Sequence, residues 1–524
     1  MQLPRSFVKN FKHPIFASMD IHFLISLSNF CFLLSFFLFL VANRYKKSRA
    51  QNLPPGPWKL PILGNLHLLI GSLPHHAFKN LAEKYGPLMH IKLGEVSAIV
   101  VSSPRIAKEI MKTNDVAFSD RAELMIAKIL LHNCSDIASA PHGEYWRQMR
   151  KLCISEFLCS KKVRSFHTLM ENEVSKLILS IRSSAGLQIN LTEHILAVES
   201  GIICMATVGR ICKDQNSIIM TIKEAVSIAG FFNVADIFPS MKFLHFLCGS
   251  ERKLNRMQRR TDAILEDIIQ QHQERKGQSK SSESMEEDIL DIFLRISANK
   301  ALPVPITRNN IKANILEMFI AGIETSSLVI EWAMSELMKN PGAMEKAQAE
   351  VRRSFDGKER ILDSDIKELK YLKMIIKETL RLHPPGPLLC PRMCREQCKL
   401  DGYDIPAKTI VMTNVWAMAR NPEYWNDPEK FEPERFSNVP IDFNGNHYAF
   451  IPFGAGRRMC PGIGFGLASV EISLSQLLYH FDWKIPGGIS PEEFDMTENF
   501  GASGGRKNHL FLIPVSYYPL HSSK

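Results

Sequence analysis

The sequence predicts one large, mainly α-helical domain that follows an apolar N-terminal helix. Its 524 residues would suit about three average domains, yet no strong linker and no internal repeat interrupt the chain. The one strongly polar stretch, residues 277–288, predicts a surface loop between helical segments. Residues 307–339 carry a helical pattern much longer than the usual helix, with Thr307 as a plausible N-cap. That pattern predicts a helix that crosses the whole domain.

Composition excludes two other classes of protein. The net charge is +10, but Lys and Arg are spread along the chain without a dense tract, so we expect no nucleic-acid binding. A membrane surface or an acidic protein partner fits this charge better. The 11 cysteines are odd in number and scattered, which argues against a disulfide framework. Cys390, Cys394 and Cys398 recur every four residues, but Pro391 makes one shared helical face for a metal site unfavourable.

The N-terminal region predicts a membrane anchor. Residues 21–41 are almost wholly apolar, contain no Asp, Glu, Lys or Arg, and are long enough to cross a bilayer. The basic residues Arg44, Lys46, Lys47 and Arg49 follow directly and favour a cytosolic location for the rest of the chain. No small-residue cleavage site is present, so we assign residues 19–43 to an uncleaved, single-pass signal anchor.

Residues 1–18 precede this anchor and carry Arg5, Lys9 and Lys12. We interpret them as an extension that is not translated or not retained, with Met19 rather than Met1 as the true or an alternative initiator; a cleavable organelle-targeting role is the second interpretation. N-terminal sequencing of the native protein distinguishes these starts. Residues 44–60 form a basic, proline-rich hinge, stiffened by Pro54, Pro55 and Pro57. The remaining residues, 61–524, form the globular domain.

The middle of the long helical pattern has the residues that a proton relay needs. Residues 321–327 (AGIETSS) combine small side chains, which let a flat group approach the helix, with the neighbouring Glu324 and Thr325. An acid beside a hydroxyl can hold water and pass protons. In the alternative interpretation, Thr325 bonds only the carbonyl four residues earlier in its own helix.

Two further pairs have spacings that are common by themselves. Trp146 and Arg150 are four residues apart and share a helix face. Glu378 and Arg381 are three apart, which suits an ordinary helical ion pair. Arg435 lies in a Pro-Glu-Arg-Phe sequence upstream of the last cysteine.

Residues 453–462 (FGAGRRMCPG) are the most informative stretch of the chain. Glycines allow close backbone approach and positive φ angles, and a thiolate stays ionised near cations and N–H donors. A loop that presents one cysteine beside two arginines suits a planar iron cofactor with anionic side groups. Such a thiolate on haem iron favours cleavage of the O–O bond.

This stretch closely resembles the haem-ligand signature F-G-x-G-x-R-x-C-x-G of the cytochrome P450 family, with every fixed position matched. The A-G-x-[DE]-T-[TS], E-x-x-R, Pro-Glu-Arg-Phe and W-x-x-x-R motifs of that family also occur, and the resemblance covers residues 21–518. It implies the cytochrome P450 fold, mainly α with a smaller β portion, and a haem b cofactor.

The resemblance also implies a role for each matched residue. Cys460 would be the axial iron ligand, and Thr325 and Glu324 would position the oxygen ligand and supply protons. Haem contacts would come from the signature loop and from propionate-binding side chains: Phe453, Gly454, Arg458, Trp146, Arg150 and Arg392. Glu378, Arg381 and Arg435 would form a buried network behind the haem.

The hinge and several local runs look like the plant microsomal branch, most similar to enzymes that hydroxylate sesquiterpenes and diterpenes. The implied pocket residues, most of them apolar, are Met125, Ile129, Phe319, Ala321, Leu388, Leu389, Ala502 and Ser503. The resemblance implies an endoplasmic reticulum membrane protein with its catalytic domain on the cytosolic face. It would use O2 and NADPH through a separate flavoprotein reductase, since no dinucleotide fingerprint is visible in this chain.

Three alternatives remain at this stage. The same chemistry could act on another lipophilic plant metabolite. A haem-thiolate isomerase or dehydratase acting on hydroperoxides is disfavoured by Glu324 and Thr325. A membrane-anchored haem sensor or scaffold would leave that pair unexplained.

Overall fold

The structure is a computed structural model that describes residue 35 and residues 52–209, 234–241, 249–278, 287–299, 302–358, 361–437 and 439–517. The chain divides into two units, Met1–Leu53 and Pro54–Lys524. The predicted anchor and the extension before it lie outside the described residues, except for Ser35, which is helical. Both therefore stay predictions.

The second unit is mainly helical, as the sequence predicts. Its described α-helices are α1 (Pro74–Tyr85), α2 (Pro104–Lys108), α3 (Met125–Leu130), α4 (Glu144–Leu152), α5 (Ser160–Ser165), α6 (His167–Arg182), α7 (Leu191–Val208), α8 (Val234–Ile237), α9 (Ser250–Gln278), α10 (Ile289–Ala298), α11 (Arg308–Lys339), α12 (Pro341–Phe355), α13 (Asp363–Lys367), α14 (Lys370–Leu382), α15 (Val415–Met418) and α16 (Ile463–His480). π-helical turns follow α2 and α4, at Glu109–Thr113 and Cys153–Phe157.

A smaller β portion completes the unit, again as expected. Its strands are β1 (Leu88–Leu93), β2 (Val96–Val101), β3 (Asp120–Arg121), β4 (Ile189–Asn190), β5 (Arg392–Met393), β6 (Cys398–Leu400), β7 (Tyr403–Ile405), β8 (Ile410–Thr413), β9 (Phe481–Lys484) and β10 (Phe511–Ser516). The largest sheet has the order β1-β2-β8-β5-β3, in which only β2 and β8 run parallel. The remaining strands form the β4-β10-β9 sheet and the β6-β7 hairpin.

The predicted long helix is confirmed as α11. Thr307 caps its N-terminus in a capping box with Asn310, which satisfies backbone N–H groups of the first turn. The helix ends at Lys339, and Pro341 begins α12. Because α11 packs against α7, α14 and α16, most of its side chains are buried. This central helix holds the residues of the candidate site in fixed positions.

The polar stretch at residues 277–288 differs from the sequence prediction at its start. Helix α9 continues through Gln278, so the loop cannot begin at Gly277. At the other end, the Asp288 side chain accepts a hydrogen bond from the backbone of Asp291 and caps α10. Propensity alone places helix ends with an error of a few residues, because tertiary contacts extend or shorten the last turn.

Two described helices, Leu191–Val208 and Arg308–Lys339, are long and apolar enough to cross a membrane by length and composition. Both are largely buried inside the second unit and pack against each other. Burial in the core of this unit accounts for the apolar composition of both helices.

Candidate active site

A cavity of about 160 Å³ lies between α11 and the loop that contains the last cysteine. Glu317, Ala321 and Thr325 border it from α11, and Cys460 and Phe453 border it from the loop. Other lining side chains are mostly apolar and include Ile137, Ile203, Ile289, Val329, Leu380 and Phe465. The cavity therefore combines two thiols, those of Cys153 and Cys460, with one carboxyl, hydroxyl groups and an apolar wall.

The loop holds its cysteine by backbone geometry. Gly454 and Gly456 both have a φ of +69°, a conformation that is open to glycine and strained for other residues. The Cys460 N–H donates to the Phe453 carbonyl at 3.0 Å, which closes the loop just before α16 begins. The Cys460 side chain is accessible from the cavity although it lies deep in the protein. Burial raises the pKa of this thiol, and a backbone hydrogen bond involving Gly462 lowers it in part.

Buried arginines converge beside this loop. Arg458 donates to the carbonyls of Ser119 and Ala140 at 2.7 and 2.6 Å, and Arg392 pairs with Asp115 at 2.7 Å. Arg121 donates to the Ala138 carbonyl at 3.1 Å. Burial and the neighbouring guanidinium groups lower the pKa of Arg458 to about 9 and that of Arg392 to about 10. This excess of buried positive charge suits an anionic ligand group.

Trp146 and Arg150 extend this surface from α4. The Arg458 guanidinium lies 4.2 Å from the centroid of the Trp146 ring, and Trp146 Nε1 donates to the Ile137 carbonyl at 3.0 Å. Burial lowers the pKa of Arg150, and the Cys153 and Cys460 thiols act in the opposite direction. Arg150 thus lies within electrostatic range of Cys460.

These residues fit a haem bound through a thiolate. Cys460 reaches the cavity, and the arginine cluster can neutralise propionates. Arg150, Arg392 and Arg458 would hold those groups, while Trp146 stacks on Arg458 and gives its N–H to a carbonyl of the protein. The sequence did not indicate Arg121 as a residue near the propionates. The charge of Arg121 acts on Arg392 and Arg458 and lowers the pKa of both, so Arg121 belongs to the same cluster.

Of the two predicted relay residues, Thr325 borders the cavity and Glu324 does not. The Thr325 hydroxyl donates to the Ala321 carbonyl at 2.7 Å, as in the alternative interpretation, and its oxygen still borders the cavity as an acceptor. Ser503 donates to Glu324 Oε1 at 2.6 Å. Burial raises the pKa of Glu324, and the bond from Ser503 opposes that shift. Thr325 therefore presents its hydroxyl to the cavity, while its neighbour in sequence, Glu324, is held by Ser503 outside the cavity lining.

Gly322 has a role in the packing of two helices. The sequence interpretation explained the small residues of this stretch only by the close approach of a flat group. A Cβ atom at this position would lie 2.6 Å from Cδ1 of Ile203 on α7. A glycine is needed there because α7 and α11 touch at this point. Gly322 and Ala321, one residue earlier, both border the cavity as well.

The structure brings Glu378, Arg381 and Arg435 together. Arg381 Nε and Nη2 donate to the two oxygens of Glu378 at 2.7 and 2.8 Å, and Arg435 Nε reaches Glu378 Oε1 at 2.9 Å. The side chains of Glu378 and Arg381 are fully buried. Arg381 also donates to the carbonyls of Ala419, Pro428 and Lys430. This network joins α14 to the segment that precedes the cysteine loop.

Of the eight side chains predicted to line a substrate pocket, only Ala321 borders this cavity. Phe319 is 1% exposed and packs in the core, because two residues along a helix turn the side chain by about 200°. Leu388 is buried in a second cluster, and Ser503 is bonded to Glu324. The other predicted positions, which stay predictions as substrate contacts, are Met125, Ile129, Leu389 and Ala502.

The sequence interpretation missed Glu317. It precedes Ala321 by four residues and Thr325 by eight, so all three occupy one face of α11. That periodicity was available in the sequence, but the acid lies outside the recognised motif. Asp115 was also missed; it joins Arg392 to the loop by accepting the Arg457 N–H at 2.8 Å.

Comparisons with known proteins agree with this site. The sequence model described as Cytochrome P450 matches residues 54–511. The chain is 51% identical to premnaspirodiene oxygenase of Hyoscyamus muticus, over 93% of this chain and 98% of that protein. It is 50% identical to 5-epiaristolochene 1,3-dihydroxylase of Nicotiana tabacum, again over 93% and 98%.

Among solved structures, a zebra fish cytochrome P450 with progesterone aligns with a TM-score of 0.74 at 23% identity, over 85% of this chain and 99% of that chain. That similarity supports the fold alone. The matched family model and the two plant relatives go further, and they show that this chain belongs to the cytochrome P450 family of haem-thiolate monooxygenases.

Proposed function

We propose that this protein hydroxylates a lipophilic plant specialised metabolite, a sesquiterpene or diterpene, with electrons from NADPH delivered by a separate flavoprotein reductase. One observation carries the proposal. A single, mostly apolar cavity is bordered by the Cys460 thiol from one side and by Thr325 from α11. Insertion of oxygen into a hydrocarbon skeleton requires a thiolate to hold the haem iron and a hydroxyl near the place where oxygen is activated. It also requires an apolar wall that holds the hydrocarbon.

The residues around the cavity would hold haem b. Cys460 is the proposed iron ligand, within a loop closed by the Phe453 carbonyl and Gly454. Arg150, Arg392 and Arg458 would bind the propionates. A thiolate-bound haem iron supplies the activation of dioxygen.

The proposed protons come from α11. Because the Thr325 hydroxyl donates to the Ala321 carbonyl, its oxygen is free to accept a hydrogen bond from a water in the cavity. Glu324, held by Ser503 and made a weaker acid by burial, passes a proton toward that hydroxyl. This pair also disfavours an isomerase or dehydratase, in which no external protons and electrons are consumed.

The proposed substrate class rests on the relatives and on the cavity wall. Premnaspirodiene oxygenase and 5-epiaristolochene 1,3-dihydroxylase are sesquiterpene-oxidising relatives. An apolar wall orients a hydrocarbon by shape. The same chemistry on another lipophilic metabolite is the alternative.

Membrane attachment and the redox partner are part of the same proposal. Related plant enzymes are typically microsomal. Residues 19–43 would anchor the chain in the endoplasmic reticulum with residues 61–524 on the cytosolic face. Residues 44–60 would connect the two parts as a hinge.

A reduced carbon monoxide difference spectrum tests the haem ligation. We expect membranes with the wild-type protein to give the strongly red-shifted Soret band of a thiolate ligand, and Cys460→Ala to lose it. Wild-type protein that binds haem without this band would contradict the assignment of Cys460. Turnover of terpenes is then measured with and without NADPH and reductase; product without them would favour the isomerase.

Substitution of Thr325 tests the proton relay. We expect Thr325→Ala to lower the product formed per NADPH consumed by about tenfold or more, because proton transfer loses its positioned hydroxyl. Ser327→Ala is the matched control, since Ser327 makes the same bond to the carbonyl four residues earlier, at 2.7 Å, but is buried away from the cavity. Equal coupling in the two variants would exclude Thr325 from the relay.

A further inference from the structure

Glu317 is an ionisable side chain in the cavity wall that the proposed chemistry does not use. It borders the same cavity as Cys460, on the α11 face that also carries Ala321 and Thr325. Neither of its carboxylate oxygens has a hydrogen-bond partner in the described part of the chain. Thr207 and Thr325, which also line the cavity, instead donate to carbonyls of their own helices.

The surroundings of Glu317 determine what it can bind. Asp136 is the described carboxyl group whose charge acts on Glu317. The Asp136 side chain is fully buried and accepts hydrogen bonds from the backbone of Ala138 and Ser139 at 2.9 and 2.8 Å. Burial raises the pKa of Glu317 to about 8, and the charge of Asp136 acts in the same direction. A carboxyl in this environment is protonated at neutral pH, so it can both donate and accept a hydrogen bond.

Glu317 is half-buried and borders a mostly apolar cavity, so a ligand that fills this cavity displaces water from its carboxyl group. Such a group loses its hydrogen bonds to water without replacement, at a free-energy cost that a suitable ligand removes. A pure hydrocarbon placed against Glu317 leaves that cost in place, whereas a hydroxyl or carbonyl oxygen on the ligand relieves it. Sites built to hydrogen-bond a ligand hydroxyl discriminate against analogues that lack it far more strongly than apolar pockets discriminate by size.

We propose that Glu317 is a specificity-determining residue that binds a hydroxyl or carbonyl oxygen of the substrate, so that this enzyme prefers an already oxygenated terpenoid to the parent hydrocarbon. The inference rests on the proposed function and names its substrate class more narrowly. Glu317 precedes Thr325 by eight residues, which corresponds to about 12 Å along the helix axis. Glu317 and Thr325 can therefore contact different parts of one bound ligand.

Spectral titration with a matched pair of probes tests the proposal without turnover. The probes are α-cedrene, a sesquiterpene hydrocarbon, and its alcohol cedrol; the measured quantity is the Kd from the substrate-induced Soret shift of the haem-loaded protein. We expect wild-type protein to bind cedrol about tenfold more tightly than α-cedrene. Glu317→Leu should bring this ratio close to one, and Glu317→Gln, which can still donate and accept, should keep most of it.

Controls separate this role from general damage. Met318 also lines the cavity, and Met318→Leu should change the two Kd values in parallel and keep their ratio. Each variant must keep the thiolate Soret band with carbon monoxide. Glu317→Leu removes no described protein hydrogen bond, so we expect it to fold; Glu317→Ala serves as a second apolar variant.

Three results would overturn the inference. If both probes bind but wild type has no preference, or Glu317→Leu keeps it, the oxygen contact is absent while the proposed function stands. If Glu317→Gln loses the preference as completely as Glu317→Leu, a neutral group that can donate and accept is not enough, and the proposed contact with a protonated carboxyl is wrong. If neither probe shifts the Soret band of wild type, the terpenoid class itself fails, and the inference fails with it.

Discussion

We expect Arg381→Ala to yield protein that retains little or no haem. Arg381 is fully buried and makes two hydrogen bonds to Glu378 together with three to backbone carbonyls. Its removal leaves the buried Glu378 carboxylate with only Arg435 as a described cationic partner, and it takes a donor from the carbonyls of Ala419 and Pro428. Breaking a buried ion pair costs about 3–5 kcal/mol, a large part of the roughly 5–15 kcal/mol that stabilises a typical domain.

Haem content per protein and the thermal unfolding midpoint measure this effect. Lys367→Ala is the matched control, because Lys367 pairs with Asp363 at a similar helical spacing but on an exposed surface, where loss costs about 0–1 kcal/mol. Arg381→Lys keeps the charge and loses the planar fork, so it should fall between the two. Normal haem content in Arg381→Ala would show that the network is not needed to hold the cysteine loop.

The long central helix illustrates what the sequence could predict. Its N-cap at Thr307 and its end before Pro341 follow from local rules, and the structure confirms both. The face of the helix that borders the cavity was equally predictable. The period of 3.6 residues places Glu317 on that face, whereas the pocket prediction named Phe319. The choice of Phe319 followed the resemblance to the plant branch and not the helical period.

The partners of the buried arginines show what the sequence could not provide. The resemblance grouped Glu378 with Arg381 and Arg435, and these side chains are in contact. It could not indicate that Arg458 donates to the carbonyls of Ser119 and Ala140. Backbone acceptors have no residue-specific signal, because every residue offers the same carbonyl and only the folded path of the chain selects one.

Gly456→Ala should disrupt the cysteine loop, for a reason that the signature alone does not state. Its φ of +69° is one source of strain, and an added Cβ would lie 2.0 Å from the Met111 carbonyl oxygen and 2.9 Å from Asp115 Oδ2. The backbone at Met111 cannot rotate away as a side chain can. Asp115 in turn holds Arg392 and the backbone of Arg457.

Gly488→Ala is the control that separates the two sources of strain. Gly488 has a φ of +68°, and no atom lies within 4 Å of the position that an alanine Cβ would occupy there. We expect about 1–2 kcal/mol of destabilisation in this control from the left-handed backbone alone, and about 1–3 kcal/mol more at Gly456 from the clash. Unfolding midpoints compare the two variants, and the carbon monoxide spectrum reports on Cys460. If Gly456→Ala keeps a full thiolate band, the loop tolerates displacement against Met111, and its glycine serves the backbone angle only.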